Sequence, residues 1–208
     1  MTISTKKPPI KETVGALYYV FDTPAENSNE FVGTYETDVT KSKVVKSISV
    51  TENGDSTSVY ASGESYDEVN DKTSIDSEIE VVAFDAKDLY RMRGDTVGTN
   101  GSILSGKPSD RPFFAFGKVV KLRGGGFRYV WYPKSKLIEN SDDIATKEDS
   151  FSEQNDTVKI RHYPFDADGN IEFKVDSTVK VPEGMTEDKF FSKPMMKDTD
   201  LSAGAYGD

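Results

Sequence analysis

"PFFAFGKVVKLRGGGFRYVWYP" (112–133) holds two aromatic and β-branched runs separated by an arginine and three consecutive glycines. Both runs suit a pleated strand, and the glycines between them can take the positive φ of a tight turn. The spacing predicts a β-hairpin: a strand over 112–122, a four-residue turn, and a second strand that Pro133 ends because proline cannot donate to a ladder. On this reading Phe127, Tyr129 and Trp131, at alternate positions, form one row of core aromatics. The same row would serve as a sugar-stacking platform if it were exposed.

Period two extends outward from this hairpin, which is the primary signal for strands. "VGALYYVFD" (14–22) reads as a buried strand stopped by "TPAENSN", and "KVVKSISVT" (43–51) as a half-buried strand stopped by "ENGD". "SIDSEIEVVAF" (74–84) places Ile75, Ile79, Val81 and Ala83 on one face and Asp76, Glu78 and Glu80 on the other, an acidic stripe turned to something wet. "EDSFSEQNDTVKIRHYP" (148–164) and "IEFKVDS" (171–177) add two strands around the turn "FDADGN". One helix is expected, in "DAKDLYRMRGD" (85–95). Asp85 would cap its start, Arg91 and Arg93 suit its negative end, Gly94 suits the position past it, and Leu89 with Met92 form its apolar face. Residues 52–73, rich in Gly, Ser and acids, read as a long loop, and the stretch from Pro182, which has no sustained period, reads as a mobile tail. The expectation is a mainly β chain: one domain over 1–181, with an N-terminal arm at 1–13, and a flexible C-terminal tail at 182–208.

Composition narrows the function. The 208 residues carry a net charge of −10, which argues against wrapping nucleic acid by phosphate neutralisation. With no cysteine and a single histidine, disulfides, thiolate metal sites, cysteine nucleophiles and most histidine-based centres fall away, and no cofactor is expected. Neither a span of about 20 apolar residues nor a signal-type leader is evident, which suggests a protein made in the cytosol.

Several short motifs read better as structure than as chemistry. "GSILSGK" (101–107) resembles a phosphate loop, but Pro108 replaces the hydroxyl that would hold magnesium. In "DADGN" (166–170) the glycine falls at the fourth position of what would be a calcium loop, where the sixth is required. "RGD" (93–95) closes the helix. His162 has no acid and nucleophile near it in sequence and reads as a core histidine. The carboxylates of the acidic stripe are the one candidate pair for glycoside hydrolysis, a use much rarer than a solvated strand face.

Taken in order, "KVVKSISVT", the acidic "VYASGESYDE", "IEVVAFDAKDLYRMRG", "RPFFAFGKVVKLRGGGFRYVWYPKSKL" and "FKVDS" resemble the major tail proteins of siphophages infecting Gram-positive bacteria. The resemblance spans residues 14 to about 180 and is strongest in "YVWYPKSKL" and in the strand–helix unit before Gly94. It implies a tail-tube fold, a β-sandwich or half-barrel with one short flanking helix and extended termini, and a non-enzymatic subunit of hexameric rings that stack into a virion tail tube. Implied partners are further copies of the chain, a tape-measure protein, tail terminator and initiator proteins, and double-stranded DNA passing without tight binding. No membrane is involved, and assembly would take place in the host cytoplasm. Within that frame Asp76, Glu78 and Glu80 are candidate lumen-facing acids, six copies of the chain bringing about −60 to each ring. Asn53, Asp55, Tyr60, Glu64, Tyr66 and Asp67 are candidates for an inter-ring loop. The alternative is a carbohydrate- or receptor-binding module of a virion surface, using exposed Tyr129 and Trp131.

Overall fold

β7 (Phe114–Leu122) and β8 (Phe127–Asp142) pair antiparallel through the glycine turn, where Gly124 and Gly125 hold φ of 93° and 88°. Pro133 does not end the second strand, which runs on to Asp142. The proline sits at a register slip, between Phe116 opposite Tyr132 and Phe114 opposite Ser135. Such a bulge leaves a residue outside the ladder, so the missing N–H is tolerated there. The slip also changes phase: Val130 and Tyr132 face the inner core before it, and Ser135 and Leu137 lie buried after it.

The computed structural model describes residues 7–24, 30–61, 64–106, 111–142, 144, 146 and 155–201, with backbone alone over 55–61 and 64–71. β1 (Lys11–Phe21), β2 (Thr40–Ser42), β3 (Val45–Ala61), β4 (Glu64–Val81), β9 (Asp156–His162) and β10 (Phe173–Asp176) join the hairpin in an antiparallel sheet. Its order is β2-β1-β7-β8-β9-β4-β3. β8 is shared along its length: opposite β7, its first half pairs with β10 and its second half with β9. β1 and β3, far apart in this order, line one cleft, so the sheet curls into a half-barrel. β5 (Thr96–Val97) and β6 (Ile103–Leu104) form a separate small ladder. No helix among the described residues is long and apolar enough to cross a membrane.

Inside the curl Leu17, Phe21, Ile75, Ile79, Phe114, Phe116, Tyr132, Leu137 and Ile160 form the main core. α1 (Ala86–Arg93) contributes Met92, fully buried, with Leu89 against the same cluster. Its ends follow the sequence: the Asp85 carboxylate accepts from the Lys87 and Asp88 amides, and Gly94 takes φ 73° past the last turn.

Two expectations are corrected. Residues 52–61 and 64–73 do not form a loop but belong to a ladder, from Glu52 opposite Ile75 to Ala61 opposite Glu64, with register slips at Asn53/Gly54 and Val59/Tyr60. Polar side chains depress β propensity, yet the ladder itself is made by the backbone. Among the described residues the two strands pair only with each other beyond Gly54 and Lys72, because β9 accompanies β4 only from Ile75 to Val81. The hairpin therefore leaves the sheet as a two-stranded arm.

The second correction concerns the stretch after Pro182, which is ordered against the sheet as far as Leu201. α2 (Glu187–Phe190), one turn capped by Thr186, and the residues after it lay Phe190, Phe191 and Met195 on the outer face of β1, β7 and β8. There they meet Ala16, Tyr18, Val119, Tyr129 and Trp131 in a second core. The Trp131 indole N–H donates to the Phe190 carbonyl at 3.0 Å, and Phe191 stacks on Tyr18 with ring centroids 3.9 Å apart. Gly117 makes the space, since a Cβ there would stand 2.7 Å from the Phe191 ring. A segment crossing strands in this way buries side chains without any period of its own.

Candidate functional site

The acidic stripe is crossed by cations. In the β4–β9 ladder Asp76 stands opposite Arg161 and Glu78 opposite Lys159. Arg161 donates twice to the Asp76 carboxylate, at 2.7 and 2.8 Å. Lys159 Nζ lies 3.4 Å from Glu78 and 3.2 Å from Glu139 of β8. Glu80 accepts from Asn155 Nδ2 at 2.9 Å and from the Ser47 hydroxyl at 3.2 Å. Hydrogen bonds from the Arg161 guanidinium hold the Asp76 carboxyl below its ordinary range. A glycosidase acid must instead be pushed up so that it keeps a proton. The face is thus a lattice of alternating charge. Each exposed pair contributes little stability, but together they remove the bare acidic surface that β4 alone suggests.

Of the residues expected in a bridging loop, Asn53 lies at the root of the arm, its Nδ2 donating to the Ser74 hydroxyl at 3.2 Å. Asp55, Tyr60, Glu64 and Asp67 pair in the arm's ladder and Tyr66 falls at a register slip within it; the side chains of all five lie outside the described residues. Trp131 is fully buried and Tyr129 is 7% exposed, with Phe127 partly buried against the same cluster. The short motifs resolve as structural pieces. Asp95 of the "RGD" sequence is an ion-pair partner of Arg93 at 3.2 Å, with a side chain only 5% exposed. Asp166 of "DADGN" accepts from the Asn170 backbone and side-chain N–H groups, which closes a turn.

One buried group escaped the sequence reading in part. His162 was expected in the core, but its partners were not. Nε2 lies 2.8 Å from Ser77 Oγ and Nδ1 2.7 Å from Ser135 Oγ, and the ring stacks on Tyr132 at 3.9 Å. Ser135 spends its own proton on the Tyr132 carbonyl at 3.0 Å, so it must accept from Nδ1–H, leaving Nε2 to accept from Ser77. A neutral imidazole completes this chain of three side chains. Burial, reinforced by the Lys118 charge, pushes His162 well below its ordinary value. The unfolded chain therefore binds a proton that the folded chain refuses. Stability is full above pH of about 6.5 and should fall by about 1.4 kcal/mol per unit as pH drops below that toward the folded value. Urea unfolding between about pH 7 and 5 checks this. Because His162 is the single histidine, His162→Phe should flatten the profile over that window, and an unchanged slope would assign the effect elsewhere.

No family model matches the chain, and no curated protein does. Among solved structures it is similar to a chain in a cryo-EM structure of the anti-feeding prophage baseplate, 6-fold symmetrised. The identity is 8%, the match covers 82% of this chain and 97% of the other, and the TM-score is 0.42.

Proposed function

We propose that this chain is a structural subunit of a phage tail tube, assembling as hexameric rings that stack into a conduit for double-stranded DNA. The sequence resemblance suggests the role, and the observation that carries it is the β3–β4 arm. A two-stranded ribbon is marginal in water without a third strand or a packed face, and an open edge is an invitation to pair. Neighbouring copies would supply what the arm lacks, within a ring or between rings. In this role the chain performs no catalysis and needs no cofactor; a tape-measure protein and the terminator and initiator proteins of the tail would be its other partners.

The β4–β9 face is the proposed lining. Asp76, Glu78, Glu80 and Glu139 stand there with Lys159, Arg161 and Lys136. Paired charges with a small acidic excess give DNA phosphates no row of free cations to grip, so the duplex would slide. The carbohydrate-module alternative loses its platform, because Trp131 is buried and its indole N–H is already committed to Phe190.

Negative-stain microscopy of the purified protein tests the proposal. Rings or tubes with sixfold end views are expected from the intact chain. A chain lacking 55–71, with its strands rejoined by a short turn, should remain folded and give none. Discrete particles from the intact chain at every concentration, or normal tubes from the deletion, would overturn the proposal.

A further inference from the structure

β1 and β3 approach to within 8 Å between Cα atoms without pairing, and the seam between them holds a cleft of about 420 Å³. Its walls include Val14, Ile48 and Val120, and its charged groups are Lys11, Lys46, Lys118 and one acid, Glu12. This is a basic cleft in a chain of net charge −10. Lys118 is its unusual feature, an ammonium on a side chain of the inner face of β7 that is only 8% exposed. Among the described residues it meets an aromatic ring, Tyr132, at 5.1 Å from the centroid. Burial lowers its pKa to about 8; Glu172 acts against the shift, while Lys11 and Lys174 add to it. A buried cation of this kind gains most from an anion brought to it from outside, because desolvation has already been incurred in the folded chain.

The arm has the complementary composition. Residues 55–71 include Asp55, Glu64, Asp67, Glu68 and Asp71 and no lysine or arginine. The arm cannot serve its own cleft. It continues β3 past Gly54, so its tip lies roughly 25 Å farther along the strand direction, at about 3.3 Å per residue.

We propose that the β1–β3 cleft floored by Lys118 receives the acidic arm of a second copy of this chain. The inference rests on the assembly reading above and adds the receptor site to it. With β1 and β3 this close, the cleft admits acidic side chains of the incoming arm and not a further strand, which would need about 9.5 Å between them. Lys11 and Lys46 steer it at the rim, and Lys118 anchors it inside.

The chain has no cysteine, so introduced thiols report contact without background. Lys11→Cys and Glu68→Cys proteins, mixed in equal amounts under mild oxidation, should give a mixed disulfide dimer well above either homodimer. That yield should fall about tenfold in high salt, and equally with Lys46→Glu added to the Lys11→Cys chain, since both weaken steering and contact between charged surfaces. Both rim positions are exposed, so these variants leave the core intact. The same mixtures are viewed by microscopy. Mixed disulfide with tubes supports both proposals, and mixed disulfide without tubes supports the cleft while removing the tube. Tubes without mixed disulfide overturn the cleft and leave the tube standing. Absence of both, or a yield indifferent to salt and to Lys46→Glu, overturns the cleft.

Discussion

Trp131→Ala is expected to destabilise the fold by about 3 to 5 kcal/mol, the range for a large aromatic removed from a core. The indole is fully buried between the β7–β8 hairpin and the C-terminal segment, with Phe191 at 5.2 Å between ring centroids. Its N–H holds the Phe190 carbonyl, so truncation leaves that acceptor unpaired as well as opening a cavity. Trp131→Phe separates the two contributions: it keeps most of the apolar contact and loses the hydrogen bond, and should cost about 1 to 2 kcal/mol. Urea unfolding of the three proteins measures both. Unchanged stability in Trp131→Ala would mean that the outer layer does not hold the fold.

Ending the chain at Gly184 should have the larger effect. Phe190, Phe191 and Met195 are all nearly inaccessible, and burial of each is worth about 1.5 to 3 kcal/mol. Their loss also uncovers Tyr18, Val119, Tyr129 and Trp131, and it removes the Glu187 carboxylate that accepts the Tyr18 hydroxyl at 2.6 Å. The three side chains alone sum to about 4.5 to 9 kcal/mol, comparable to the whole stability of an ordinary domain. The shortened chain should show lost near-ultraviolet dichroism and strong binding of a hydrophobic dye. A shortened chain that melts with the intact one would show that the segment merely rests on the surface.

Both predictions depend on a layer that periodicity could not reveal. Strands and α1 were legible because each writes its own burial into its own residues: Ile75, Ile79 and Val81 alternate, and Asp85 and Gly94 bracket the helix. "KFFSKPMM" (189–196) has apolar density but no period, because the sheet beneath it, not its own geometry, decides which side chains are covered. The arm was obscured for the opposite reason, as backbone pairing tolerates a polar sequence that reads as loop. The Ser77–His162–Ser135 chain depends on three strands meeting in one register, and single-strand patterns hold no information about that. The acidic stripe was visible on β4, while the cations that cross it sit on β9 and became neighbours only through the ladder. Pro133 showed where the strand is irregular, although the irregularity is a change of phase within β8 and not its end.

The arm also has a mechanical meaning. It is the direct extension of β3 and β4, so a pull on its tip runs along the strands, while the hydrogen bonds holding β4 to β9 run across them. Force applied in that direction loads the bonds from Ile75 to Val81 together in shear, and none can open before the others. A hairpin attached through a loop would peel one bond at a time. Tension applied at the tip would thus pass through β9 and β8 into the body of the subunit.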